Sequence, residues 1–229
     1  EKENDINDKF QYDAVVVCAG HLSPGFSVTS NIALQNVRGQ VSRFHSNTSL
    51  NTLSTVLCHK GYVTPAQGKY QSFGATFTKD STNEATSEQD SQTNFQQLTS
   101  MYNTQDWSIN ISKDDIIDNK AAIRATSPDH IPIVGEVFNE KWLQICVDKN
   151  SGNLKRRDKL ISPYQNYPDC ELKGLFCLTG LGARGLTSAP LMAKHLTSMM
   201  FGEELPLNKR LQKAVAPNRF QIRHLKRNK

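Results

Sequence analysis

Apolar residues along the chain fall into short runs separated by polar stretches, and the runs have the lengths of strands more often than of helices. Residues 12–20 (YDAVVVCAG) form a continuous apolar run closing on small residues, which predicts a buried strand of a parallel sheet ending in a tight turn. Residues 37–44 alternate loosely and predict a second strand. Residues 62–65 and 70–77 predict two strands joined by a glycine-containing turn over 66–69. The first half of the polar stretch 78–97 predicts a surface loop, and residues 94–101 the start of a helix. Residues 121–125 run into Thr126-Ser127-Pro128-Asp129-His130, where Ser-Pro-Asp is turn chemistry, and residues 131–134 resume an apolar run. A strand is expected over 142–147, an exposed loop over 149–158, and a buried strand over 174–179. After it, Thr187 or Ser188 is expected to cap a helix with Pro190 in its first turn. Leu191, Met192, Leu196, Met199 and Met200 would line its core face, with Gly202 ending it.

A length of 229 residues suits one large domain or two small ones, with enough chain to build a core without disulfides. No run approaches the roughly 20 apolar residues of a membrane span, and residues 1–10 do not read as a signal peptide, so a cytoplasmic protein with no membrane partner is expected. The 5 cysteines form no C-x-x-C pair and read as reduced thiols, mostly in the core. The 6 histidines show no metal-ligand spacing, so no metal is expected. The net charge of +5 is carried by the end of the chain. Residues 205–229 hold eight basic side chains and no acidic one; once these eight are removed from the 27 basic residues, 19 remain against 22 acidic. Lys209, Arg210, Arg219, Arg223, Lys226 and Arg227 are therefore candidates for contact with an anionic polymer, against the plainer reading of a solvated tail. Phe220, Ile222 and Leu225, interleaved with these charges, suggest that the tail docks on something, its own domain included.

Residues 180–185 (GLGARG) satisfy G-x-G-x-x-G between a strand and a helix. A dinucleotide fold starting here would need a further strand and helix, which the 44 residues after Gly185 do not provide. What remains is a glycine loop that bares backbone N–H groups at a helix N-terminus, suited to anionic or electron-rich ligand atoms; a tight turn using glycine only for packing is the alternative.

With Val17-Cys18-Ala19-Gly20, Val37-Arg38-Gly39-Gln40, Gly61-Tyr62-Val63-Thr64-Pro65, Phe73-Gly74-Ala75-Thr76-Phe77, the segment 124–135 and Gly180-Leu181-Gly182-Ala183-Arg184-Gly185-Leu186-Thr187, the chain resembles the D-amino-acid oxidase and glycine oxidase superfamily of flavoenzymes. Within it, residues 180–191, 202–207 and 219–227 are most similar to the oxidoreductase modules of bifunctional enzymes that modify the wobble uridine of tRNA. The resemblance implies an α/β (α+β overall) fold in which part of a Rossmann-like FAD-binding domain joins a mixed, largely antiparallel substrate domain. The boundaries expected are 1–35 and 172–203 for the FAD-binding parts, 36–171 for the substrate domain and 204–229 for a basic tail. The family's dinucleotide fingerprint, which holds the ADP half of FAD, lies near the start of the module and is absent here. The chain therefore resembles a C-terminal fragment, with a methyltransferase half using S-adenosylmethionine expected upstream.

The activity implied is FAD-dependent removal of the carboxymethyl group from carboxymethylaminomethyl-(2-thio)uridine in tRNA, by a monomer. The resemblance implies that Arg124 and Tyr62 hold the substrate carboxylate and that Arg184 lies near substrate or flavin. It places Gly20, Gly180, Gly182, Ala183, Arg184, Gly185, Leu186 and Thr187 beside the cofactor, and it singles out no general base. Two other readings stand beside this one: a non-catalytic RNA-binding module on a flavoprotein-like body, and an oxidase of free glycine or sarcosine.

Overall fold

Three consecutive valines start the first strand, β1 (Val15–Val17), whose branched side chains suit a pleated surface. The computed structural model describes residues 12–46, 50–101, 111–138 and 174–227. β1 pairs in parallel with β9 (Leu175–Thr179), Val15 opposite Leu175 and Val17 opposite Cys177. β9 pairs on its other side, antiparallel, with β8 (Ile133–Glu136), giving a three-stranded sheet in the order β1-β9-β8. The chain divides into two compact units, one of residues 1–34 with 126–229 and the other of residues 35–125.

In the first unit both faces of the sheet are covered. On one face Val134 and Phe176 pack with Met192 and Leu196 of the helix α2 (Gly185–Phe201) and with Leu207 and Val215. On the other face Ile133 and Cys177 pack with Ile32, Val137 and Phe220. The alternation of adjacent residues between clusters is the period-2 signature of strands buried on both faces. The segment expected to be a basic tail is two helices, α3 (Lys209–Val215) and α4 (Arg219–Arg227). Asn208 caps α3 by accepting from the backbone N–H groups of Arg210 and Leu211, both at 3.1 Å. Leu207, Val215 and Ile222 are buried, so residues 205–222 belong to the first unit instead of trailing from it. The substrate segment expected over 36–171 likewise ends sooner, since residues 133–136 complete the first unit's sheet.

The second unit is a six-stranded sheet centred on β2 (Gln35–His45). β5 (Tyr70–Gly74) and β6 (Thr78–Lys79) pair antiparallel with successive stretches of β2, and β7 (Ile116–Thr126) also pairs with β2. The hairpin β3 (Leu57–Cys58) and β4 (Tyr62–Val63) extends the sheet from β5. Helix α1 (Glu88–Met101) starts six residues before the point its polarity suggested, because Ser87 accepts the N–H of Asp90 and turns the chain into the helix. Its inner residue Leu98 joins Phe44, Val63, Phe73 and Ile111 in the core, where Phe44 and Phe73 meet edge to face at 5.3 Å. Strand β7 is longer than the segment 121–125: it opens on Ile116 and Ile117, and the polar Asp118–Lys120 that follow break the apolar pattern. The strand and loop expected over 142–158 lie outside the described residues.

Helix α2 also begins earlier than expected. A single 3-10 turn (Gly182–Arg184) leads into it, and Arg184 occupies the capping position. The hydroxyls of Thr187 and Ser188 donate to Arg184 O at 2.9 Å instead of capping the helix N–H groups. Pro190 therefore lies inside the helix, where it forgoes one hydrogen bond to the exposed first turn. Gly202 ends the helix in the left-handed conformation. Leu191, expected in the core, is exposed.

Phe44 is fully buried. Phe44→Ala is expected to destabilise the second unit by roughly 3–5 kcal/mol, a lower urea midpoint at unchanged slope; a loss below about 1 kcal/mol would remove this residue from the core.

Candidate functional site

The second unit buries part of a guanidinium. Arg124 lies near the end of β7, and the space it enters exists because residue 39 on β2 has no side chain. A Cβ on Gly39 would overlap Arg124 Nη1 and lie 2.8 Å from its Cζ and 2.7 Å from Thr76 O. Arg124 Cζ also sits 4.9 Å from the ring centre of Phe77, a cation–π arrangement that holds the guanidinium plane. Its Nη1 is buried and donates to no atom of the protein. A buried donor left without an acceptor is costly, and this nitrogen stays open to an acceptor from outside the chain. Tyr62, half-buried on β4, belongs to the same neighbourhood: burial pushes its hydroxyl pKa up, while the positive charge of Arg124 opposes that shift. The structure thus brings Arg124 and Tyr62 under one field, with Gly39 and Phe77 shaping it. Neither of the latter two stands out by spacing in the sequence.

In the first unit the glycine loop joins β9 to α2. Gly180 and Gly182 hold φ values of +67° and +57°, which favour glycine. Thr126 forms a bridge to Leu181, and a Cβ on Gly182 would lie 3.4 Å from Thr126 Oγ1. Ala183, Arg184 and Thr187 are exposed and Leu186 is 98% exposed. No side chain caps the first N–H groups of α2, so the helix offers them, with the positive end of its dipole, to whatever lies outside. Gly20, at the end of β1, has open space where a side chain would be, and its carbonyl accepts from Thr179 Oγ1 at 3.0 Å. Ser23 Oγ donates in turn to Thr179 Oγ1, fixing the loop after β1 to the end of β9. This uncapped, glycine-lined edge fits an anionic or electron-accepting portion of FAD. Arg184 belongs to the first unit and Arg124 to the second.

The expected polyanion contacts separate by position. Lys209 and Arg210 are exposed on α3. Arg219 is 4% exposed and its guanidinium faces inward: Nε and Nη2 donate to the two oxygens of Asp129 at 3.1 and 2.8 Å, and Nη2 also donates to Ile131 O at 2.7 Å. Arg223, more exposed, donates from Nη1 to Asp129 Oδ2 at 2.8 Å. Arg219 is therefore taken out of the set facing solvent, because its donors are used inside the unit. Lys226 and Arg227 lie at the end of α4. Of the three cysteines described, Cys18 and Cys58 are exposed and only Cys177 is core; burial pushes its thiol up to about 12.

A small cavity of about 40 Å³ lies in the first unit, lined among others by Glu136, His195, Met199 and Gln212. Burial pushes the Glu136 carboxyl up to about 7 and the His195 imidazole down. Neither residue carried a sequence signal: Glu136 is a single carboxylate ending an apolar strand, and His195 is one of several polar residues in its helix.

The profile of the family described as FAD dependent oxidoreductase matches residues 2–199. The chain belongs to that family. It is 36% identical over 219 residues to a protein of Pseudoalteromonas translucida named tRNA 5-methylaminomethyl-2-thiouridine biosynthesis bifunctional protein MnmC, covering 95% of this chain and 31% of the relative. It is 34% identical over 227 residues to the protein of the same name from Aliivibrio fischeri, covering 97% and 32%. The chain thus spans about a third of the length of the curated relatives it matches. In fold it is similar to glycine oxidase from Geobacillus kaustophilus (TM-score 0.60, 17% identity, 87% of this chain and 44% of that one). It is also similar to iminodiacetate oxidase from Chelativorans sp. BNC1 (TM-score 0.65, 16% identity, 91% and 47%). As a member of the FAD dependent oxidoreductase family the chain has the mixed α and β flavoprotein fold, with antiparallel sheets.

Two outcomes follow from this geometry. Gly39→Ala is expected to destabilise the second unit by about 1–3 kcal/mol, and adding Arg124→Ala to it is expected to recover part of that loss in a double-mutant cycle; strict additivity would mean that the two residues do not touch. Glu136 is harder to ionise folded than unfolded, so as pH rises from about 4.5, its ordinary value, to about 7 it costs the folded state stability, and above that the cost is constant. Glu136→Gln is expected to remove this slope, seen as a mutant-minus-native Tm difference that grows across that pH window. A difference independent of pH would show that the carboxyl titrates normally.

Proposed function

We propose that this chain is the flavin- and substrate-facing part of an FAD-dependent oxidase that removes the carboxymethyl group from carboxymethylaminomethyl-(2-thio)uridine at the wobble position of tRNA. The observation that carries the reading is the buried Nη1 of Arg124 with no acceptor, held over Gly39 beside Tyr62. A planar guanidinium with a free donor suits a carboxylate, which a carboxymethylamine substrate supplies. The curated relatives' name supports the tRNA assignment, and the exposed Lys209 and Arg210 on α3 support an anionic polymer as partner. Such a reading includes S-adenosylmethionine only for a methyltransferase portion that these residues do not form.

When bound, FAD supplies the two-electron acceptor for oxidation of the glycyl carbon–nitrogen bond. The chain's own residues do the placing. Arg124 would grip the carboxylate and Tyr62 would donate its phenolic proton to a carboxylate oxygen; the raised pKa keeps that proton in place at neutral pH. The uncapped N–H groups at the start of α2, with Gly20, Gly180, Gly182, Ala183, Arg184, Gly185, Leu186 and Thr187 around them, would favour negative charge on the cofactor side. No residue is assigned as general base.

The test uses flavin-loaded protein and tRNA carrying the carboxymethylaminomethyl group. Arg124→Gln is expected to lower kcat/KM on this tRNA roughly 100-fold, mostly through KM, because a lost charged contact costs about 2–5 kcal/mol. The visible flavin spectrum should be unchanged. Equal turnover by native and Arg124→Gln protein would overturn the anchor. Turnover of free glycine matching that of the modified tRNA would favour a small-amine oxidase, and a colourless protein that still binds tRNA would favour an RNA-binding module.

A further inference from the structure

The Arg219–Asp129 pair does more than fasten the end of the chain. Asp129 is the centre of a knotted turn: Ser127 Oγ lies 3.0 Å from Asp129 Oδ1 and 2.6 Å from Ile131 O, the Ile131 N–H donates to Asp129 Oδ1 at 3.3 Å, and the His130 N–H donates to Ser127 O at 3.0 Å. Arg219 closes the knot from α4, reaching both carboxylate oxygens and Ile131 O, while its Nη1 donates to Ala216 O at 3.2 Å. The carboxylate, flanked by Arg219 and Arg223, is held well below the usual range, so the knot stays charged and closed throughout ordinary pH.

The other end of this turn is Thr126, the residue that bridges Leu181 and faces Gly182. Leu181 precedes the single 3-10 turn from which α2 starts, and Leu181 and Ile131 pack against one apolar cluster. A glycine-rich loop has little of its own to fix its conformation, so its shape depends on the wall it leans on. Beside Leu181 and Gly182 that wall is Thr126, the first residue of the turn 126–131 that a guanidinium from the C-terminal helix holds; beside Gly180 it is Ile133 and Leu34, each 3.3 Å from where a Cβ would lie.

We propose that Arg219, acting through Asp129, is a positioning residue for the glycine loop of residues 180–185, so that the C-terminal helix sets the shape of the surface offered to the cofactor. The flavin consequence rests on the reading given above, while the mechanical link does not. A buried bidentate ion pair broken on one side leaves the remaining charge uncompensated, which transmits the loss to the turn instead of absorbing it locally.

Hydrogen exchange on the whole chain tests the link without any cofactor. Arg219→Gln is expected to raise exchange of the amides of residues 181–184 at least tenfold while leaving β2 and β5 of the other unit within twofold. Arg219→Lys should fall between the two. Arg223→Gln, which loses a contact to the same carboxylate but none to Ile131 O, should leave the loop within twofold. If Arg219→Gln frays only α4 and the loop amides keep their protection, the proposal fails. Should the Arg219 variants not fold, native-state exchange of the unmodified chain at low denaturant decides: the first turn of α4 and residues 181–184 must open as one unit, and separate openings overturn the link. FAD titration followed by flavin fluorescence then separates the two claims. A tenfold weaker Kd in Arg219→Gln supports the whole chain of effects. A loosened loop with unchanged FAD affinity leaves the link standing and removes the loop from the flavin surface.

Discussion

The pairing of β1 with β9 is the constraint on which the rest is built. Val15 to Val17 lie beside Leu175 to Cys177 in parallel register, so the chain leaves the first unit after Leu34, forms a second unit and returns at Thr126 to complete the sheet it began. Parallel neighbours cannot be joined by a tight turn, and here the connection is long enough to hold a domain with its own core. The closure entropy of a connection grows only slowly with its length, and Phe176, Cys177, Val134 and Ile133, buried on two faces of one short sheet, hold the returning strands in place.

Each unit uses an arginine against backbone, with opposite outcomes. Arg219 spends its donors on Asp129, Ile131 O and Ala216 O, and becomes part of the structure. Arg124 is held by a missing Cβ and an aromatic face but keeps a buried nitrogen unspent. The difference between the two guanidiniums is a matter of hydrogen-bond accounting, because a desolvated donor must find an acceptor or cost stability. The same accounting marks the start of α2, where the hydroxyls that could have capped the helix turn back to Arg184 O and leave its N–H groups open.

Much of the strand content was readable from the sequence. The valine run of β1, the alternation in β2, the apolar run of β9 and the Gly202 helix stop each appear where local pattern puts them, although β1 is an edge strand with Val15 48% exposed and not the buried strand its apolar run predicts. Polar strand residues were not readable: Asp118–Lys120 earn their place in β7 by pairing with β2, a non-local fact. The start of α2 was misread because Thr187 and Ser188 have the composition of caps, and only the 3-10 turn before them shows that the helix is already under way. The tail was legible in part: Phe220 and Ile222, interleaved with its charges, dock on the first unit as expected, whereas the inward turn of Arg219 to a carboxylate 90 positions earlier left no local trace.

Family membership and the short elements were thus determined by the sequence itself, since glycine loops, turn residues and apolar runs act over a few neighbouring positions. Tertiary structure alone decided which polar groups are satisfied. Whether an arginine is a surface charge, a clamp or an open donor depends on what the folded chain brings within three ångströms of it, and composition along the chain carries no record of that distance.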